Sequence, residues 1–383
     1  MAEPLNIGLI GCGTIGRIHA AAIEQTPGCR VVAACDIDPA ALARLADERA
    51  ARGESFGNDF LTDDYRVMLT EDGIDAVTVG LPNYLHAPVT IDALRAGKHV
   101  FCEKPIATSY ADALTMADEA TRADRRLVIG VVNRYHDSVN QIKSIVERGE
   151  IGDVYQVAAK FKAYRSIPGL GGWFTDKSQA GGGVMSDWGV HFIDLIFYIL
   201  GSPRVKSVSG KGWNVLGREP REYRYLEMWG ATPDYDGVCD VEECAAGLIR
   251  TDGPLITFEG AWAQNINERA MYIDFLGSKG GIRHDYVGGF TVWGQTPEYL
   301  TETRPIKKDT DFYVNEFIGF VESIRSGAPN RADIDRVLPA QQVIDMFYES
   351  SRLDREVVTD GASSGDGAGS GDGAAAGVLD RRE

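Results

Sequence analysis

Three residues in this 383-residue sequence have the types and setting to move a proton on and off a hydroxyl: Lys104, between Glu103 and Pro105, and the pair Asp187 and His191. An imidazole titrates near neutrality, and a carboxylate one helical turn away orients it and raises its basicity. A lysine ammonium beside the same oxygen stabilises the negative charge that develops there. The stretch from 187 to 200 reads as an apolar helix, so Asp187 and His191, four apart, share a face, with Asp194 three residues further on. The competing reading makes Ser186 or Asp187 a helix cap and His191 a satisfied core histidine. The run Gly181-Gly182-Gly183 favours chemistry, because it leaves the first turn of the helix accessible to a ligand.

These side chains need a frame. Val100-Phe101-Cys102 reads as a buried parallel strand, and Lys104 falls just beyond its carboxyl end, where open α/β sheets bind ligands. The chain opens with the strand Leu5–Ile10, followed at once by Gly11-Cys12-Gly13-Thr14-Ile15-Gly16 and a helix. In that context Gly11 permits the tight turn, Gly13 clears the approach of a pyrophosphate, and Gly16 lets helix and strand close up. The amides of the first turn, at Thr14 and Ile15, then face a dinucleotide.

The second strand, 30–35, ends at Asp36, placed to accept from the adenosine ribose diol, while Asp38 suits the cap of the helix at Pro39. A 2′-phosphate there would meet a carboxylate, at a cost of up to roughly 4 kcal/mol per charge pair at an effective dielectric near 20. The expected cofactor is therefore NAD. Asn83 and His86, in the loop after the strand 74–80, touch the cofactor ribose or serve as caps and turn formers; Glu103 and Lys104 complete the expected cofactor surface.

Strands and helices alternate as far as Val132, which predicts an α/β doubly wound parallel sheet over 1–132. After Asn133-Arg134-Tyr135 the pattern changes. A helix at 138–147 precedes long strands without intervening helices, which predicts an α+β domain with a large, mostly antiparallel sheet over 133–357. Residues 358–383 are dominated by Gly, Ala, Ser and Asp, a composition that cannot offset chain entropy by burial, so a flexible tail is expected.

The net charge of -17 and the absence of a basic run argue against nucleic acid or an anionic membrane as partner. The six cysteines contain no Cys-x-x-Cys pair, and no His/Cys cluster suggests a metal. With no secretory leader and no apolar run near 18 residues, a cytoplasmic protein is expected.

The order of Gly11–Gly16, Gly97-Lys98-His99-Val100-Phe101-Cys102-Glu103-Lys104-Pro105 and Gly181–His191 resembles the glucose-fructose oxidoreductase / inositol dehydrogenase / rhizopine-catabolism protein family, over about Leu5 to Val357. The resemblance implies a nicotinamide-dependent sugar or polyol dehydrogenase whose catalytic set Lys104, Asp187 and His191 match. It also implies a homo-oligomer paired through the open face of the second-domain sheet. The long segment from Trp213 to Cys244 departs from commoner members, so no one member's substrate carries over. Tyr164-Arg165, Trp173-Phe174 and Trp213, in glycine-punctuated loops, are the candidate sugar contacts, with Arg165 and Trp173 foremost; core or turn packing is the competing reading, and for each one singly the favoured one. The expectation is hydride transfer from a ring secondary hydroxyl of a sugar, polyol or glycoside, the glucose 3-position included. An oxidoreductase that keeps its NAD and shuttles hydride between sugars, and a sugar sensor without chemistry, compete with it.

Overall fold

The computed structural model describes residues 3–54, 60–286, 288–306 and 310–359. Six strands, β1 (Leu5–Ile10), β2 (Cys29–Cys35), β3 (Phe60–Thr62), β4 (Ala76–Val79), β5 (His99–Glu103) and β6 (Leu127–Gly130), pair in parallel in the order β3-β2-β1-β4-β5-β6. Helices lie between them in sequence and cover both faces, which is why β4 and β6 are buried along their whole length. The chain order reverses between β1 and β4, opening a crevice at the carboxyl ends of the strands. This is the doubly wound sheet expected from the sequence. Asp38 caps the helix Pro39–Ala51, its carboxylate accepting from Ala40 N at 2.9 Å.

The second sheet has nine strands: β7 (Val154–Lys162), β8 (Val205–Trp213), β9 (Cys244–Thr251), β10 (Leu255–Ala261), β11 (Ala270–Gly277), β12 (Gly281–Asp285), β13 (Phe290–Gln295), β14 (Leu300–Thr303) and β15 (Val357–Val358). Their order is β14-β13-β12-β11-β7-β10-β9-β8-β15, antiparallel except where β7 meets β10. Alternate residues Val157, Ala159 and Phe161 of β7 join a core with Phe192 and Ile196 of the helix Val190–Leu200 and Phe347 of the helix Ile334–Leu353. On the other register Lys160 and Lys162 stay partly exposed and reach Glu259 of β10.

Two features were not visible in the sequence. The helix Phe312–Ser326 packs with the first sheet rather than the second: the Phe317 ring lies tilted at 4.7 Å from that of Phe101 and meets the ring of His19 edge-on at 5.3 Å. Ile129 N donates to Ala332 O at 2.9 Å, so the chain returns to β6 after the second sheet is built. The helical stretch Lys177–Leu200 is 24 residues long, with a mean hydropathy of 1.3 over its most apolar window. It is long and apolar enough to cross a membrane, but 78% of that window is buried against the protein's own core. Of the expected tail, Val358 pairs with Ser207 of β8, and residues 360–383 lie outside the described residues.

Candidate active site

The glycine turn is built as its spacing requires. Gly11 has φ +96°, and a Cβ on Gly16 would stand 2.0 Å from Gly11 O, so a side chain there would force helix and turn apart. A Cβ on Gly13 would meet nothing within 4 Å, which leaves open space above the turn. The helix Thr14–Gln25 begins there without a side-chain cap, leaving the first-turn amides at Thr14 and Ile15 for an anion. Asp36 fastens this turn to the end of β2: its Oδ2 accepts from Cys12 N at 2.7 Å and its Oδ1 from Asp38 N at 2.9 Å. Uncapped amides, the open space at Gly13 and a carboxylate at the ribose position fit an NAD diphosphate and its adenosine half.

Three other residues expected at the cofactor make hydrogen-bond contacts within the protein. His86 is buried with Nδ1 at 2.7 Å from Pro105 O and Nε2 at 2.8 Å from Leu81 O, and burial lowers its pKa. It clamps the loop after β4 to the one after β5. Asn83 donates to Ala180 O at 2.8 Å, tying that loop to the segment just before Gly181. Glu103 is buried, with Oε1 at 2.9 Å from His19 Nε2 and Oε2 accepting from Lys104 N.

Lys104, Asp187 and His191 meet in a cleft of about 230 Å³, lined also by Trp188, Phe192, Trp229, Met271 and Tyr286. Lys104 Nζ donates to Asp187 Oδ1 at 3.1 Å, and the buried indole of Trp262 donates to Oδ2 at 3.2 Å. His191 Nδ1 lies 3.1 Å from Asn133 Nδ2, which also donates to Tyr286 OH at 2.8 Å. With an amide nitrogen on Nδ1, a neutral ring carries its proton on Nε2; turning the amide over puts oxygen there, moves the ring proton to Nδ1 and frees the Nε2 lone pair. Burial, and then the Lys104 ammonium, hold the His191 pKa well below its ordinary value.

This geometry corrects the expected pairing. Asp187 falls in a π turn, Met185–Gly189, and only from Val190 does the helix take α form. The widened turn breaks the i, i+4 alignment, so the carboxylate serves Lys104 and Trp262, and the imidazole is paired with Asn133. The basicity of His191 is lowered rather than raised. Asp194 does not join them: it forms a buried two-point ion pair with Arg134, at 2.6 and 2.9 Å. Nor do the three glycines leave the helix start open. A Cβ on Gly182 would stand 1.9 Å from Tyr348 OH and one on Gly183 1.9 Å from Glu242 O, while the Glu242 carboxylate accepts from Gly183 N and Met185 N, both at 3.0 Å.

Arg165 and Trp173 are not among the residues lining the cleft. Arg165 donates to Asn265 and lies over the rings of Tyr164 and Tyr223. Trp173 stacks on Phe174 at 3.9 Å, and Trp213, at the end of β8, is 42% exposed. Sequence reasoning missed Asn133, Trp229, Trp262 and Tyr286. Asn133 stands where the strand-helix alternation stops, which was the one local signal; the other three come from distant strands and loops.

Residues 5–131 match the model of an oxidoreductase family with an NAD-binding Rossmann fold, and residues 139–283 match the GFO/IDH/MocA C-terminal domain. The chain is 29% identical over 363 residues to D-glucoside 3-dehydrogenase of Escherichia coli K12, covering 93% of this chain and 98% of that one. It is 27% identical to myo-inositol 2-dehydrogenase of Thermotoga maritima, covering 85% and 90%. A solved oxidoreductase domain protein from Kribbella flavida superposes with a TM-score of 0.79 at 25% identity, covering 93% of this chain and 99% of that chain.

Proposed function

Because the chain belongs to the GFO/IDH/MocA family of NAD-binding oxidoreductases, we propose that it oxidises a ring secondary hydroxyl of a sugar, polyol or glycoside with NAD. The observation that carries this reading is the meeting of the Lys104 ammonium and the His191 imidazole in one cleft beyond the end of β5. NAD, when bound, supplies the hydride acceptor. The residues of the chain handle the oxygen and its proton. Lys104, held by Asp187, donates to the substrate oxygen and stabilises its developing charge. His191 is uncharged at neutral pH because of its lowered pKa, so it is ready to take the hydroxyl proton on Nε2 once Asn133 presents its amide oxygen to Nδ1. In the reverse direction the imidazolium formed in that step, its Nδ1–H still held by the Asn133 amide oxygen, returns its Nε2 proton to the oxygen of a ketone. Asp36 supports NAD over NADP.

Pairing of two copies through the open face of the nine-stranded sheet, and a cytoplasmic setting, complete the reading; its support is the half-exposed register of β7 and six free thiols. The test is NADH formation across a panel of sugars, inositols and glycosides, with Lys104→Ala as control. NADH with at least one of them, lost in the variant, is expected. NAD binding with no turnover on any of them overturns catalysis in favour of a sensor, and NAD retained through desalting with turnover only when a second sugar is added overturns the free dehydrogenase.

A further inference from the structure

Resting on that reading, we propose that Trp188, Trp229, Phe174 and Trp173 form a second subsite, which receives a flat apolar aglycone while the sugar ring to which it is attached is oxidised in the cleft. The cleft itself, at about 230 Å³, is smaller than the roughly 300–1,000 Å³ typical of sites for drug-sized ligands, and suits one ring. A second group must therefore lie outside it. The wall shows where: Trp188 and Trp229 both line the cleft, their indoles 6.2 Å apart and within 9° of parallel. Trp229 continues to Phe174, edge-on at 5.4 Å, and Phe174 continues to Trp173, stacked at 3.9 Å. The strip runs without a break from the neighbour of Asp187 into the loop 165–176, and all four residues are half-buried rather than enclosed in the core.

The strip is also built to stay in place. Gly169 N donates to Trp229 O at 2.9 Å, Asp234 N to Leu170 O at 2.8 Å and Asp240 N to Thr175 O at 3.0 Å, so the loop and the segment 229–240 are joined backbone to backbone. A Cβ on Gly171 would stand 1.7 Å from Asp234 O, and one on Gly237 2.0 Å from Gly171 O; only glycine allows so close an approach. Aromatic faces held in this way present apolar area with little ordering left to do on binding.

Charge selects among ligands. Lys104 is the one cation lining the cleft among the described residues, and it is paired with Asp187, so a phosphorylated sugar would find no free partner there. The ligand is accordingly a neutral glycoside, with its sugar beside His191 and its aglycone on the indoles.

The experiment compares kcat/KM for phenyl glucoside, methyl glucoside and free glucose in the wild type, Trp173→Ala and Trp173→Phe. The wild type should favour the phenyl over the methyl glycoside by about tenfold, from stacking on the outer rings. Trp173→Ala should bring that ratio towards one through KM, and Trp173→Phe, which keeps a ring, should recover part of it. Equal kcat/KM for the two glycosides in the wild type, or a Trp173→Ala loss of the same size for both, overturns the subsite and leaves the sugar reading standing. Turnover of neither glycosides nor sugars removes the sugar reading, and the subsite falls with it.

Discussion

Neutralising Asp187 separates two accounts of the carboxylate, as the holder of Lys104 or as the orienter of His191. At 3.1 Å the attraction between Lys104 and Asp187 is about 5 kcal/mol at an effective dielectric near 20. Desolvation and partial solvent access, with 22% and 11% of the two side chains exposed, cut the net coupling to about 1–3 kcal/mol, or about 5- to 150-fold in rate. Asp187→Asn should therefore lower kcat/KM by that factor, since an amide at the same place still accepts from Trp262 but no longer fixes the ammonium. Lys104→Ala should cost about 10²–10⁴. Added to Lys104→Ala, Asp187→Asn should cost little or restore some activity, because it removes a carboxylate left unpaired in a mostly buried place. Added to His191→Ala, it should keep its full cost. The assay is initial-rate NADH formation for the double-mutant cycle. Loss of the Asp187→Asn effect in the His191→Ala background, with the full effect retained beside Lys104→Ala, would refute the reasoning.

Protonation disables His191 as a base, and its pKa is lowered by burial and by Lys104, so the acidic limb of kcat/KM should lie below pH 6.5. Lys104→Met removes the second cause and should move that limb to higher pH; a limb that stays put belongs to another group. Gly16→Ala should lower the melting temperature by several degrees, through the 2.0 Å approach to Gly11 O, whereas Gly13→Ala should leave melting nearly unchanged and weaken NAD binding at least about tenfold by calorimetry. Asp36→Ser should narrow the gap between NAD and NADP affinities, and a gap that widens would exclude the charge argument. Glu316 is fully buried with neither carboxylate oxygen hydrogen-bonded, and burial, then Glu103, raises its pKa well above 4.5. The folded state holds that proton more tightly than the unfolded one, so the contribution to stability is complete below pH 4.5 and is lost as pH rises. Glu316→Gln should thus melt higher than the wild type at pH 8, with the difference shrinking towards pH 5; a difference independent of pH would show that the carboxyl is not titrating in this way.

What the sequence made legible was local. Gly11, Gly13 and Gly16 act on atoms within a few residues or on the adjacent strand, and the apolar runs of the parallel strands need only their own pattern, so the first sheet could be read directly. Asp187 and His191 stand out in the sequence and line one cleft, but their expected mutual geometry rested on assuming an α-helical turn. A π turn leaves no mark in composition, and the actual partners, Asn133, Trp262 and Tyr286, approach from parts of the chain 58, 75 and 95 residues or more from the side chains they serve. The glycines before that turn illustrate the ambiguity in another way: a missing side chain marks a close approach, and only the fold says whether a ligand or Tyr348 fills the space.

The return of Phe312–Ser326 to the first sheet has a consequence for how the protein is made. On a ribosome adding about 5–20 residues per second, the six parallel strands emerge roughly 10–40 s before the helix that carries Phe317 and Phe320. Through that interval Phe101 and His19, fully buried in the finished molecule, have no cover from this helix, so the nascent first half keeps part of its apolar face open. The same geometry makes a fragment ending near Val132 a poor stand-in for the cofactor domain, because its core is completed by residues almost two hundred positions downstream.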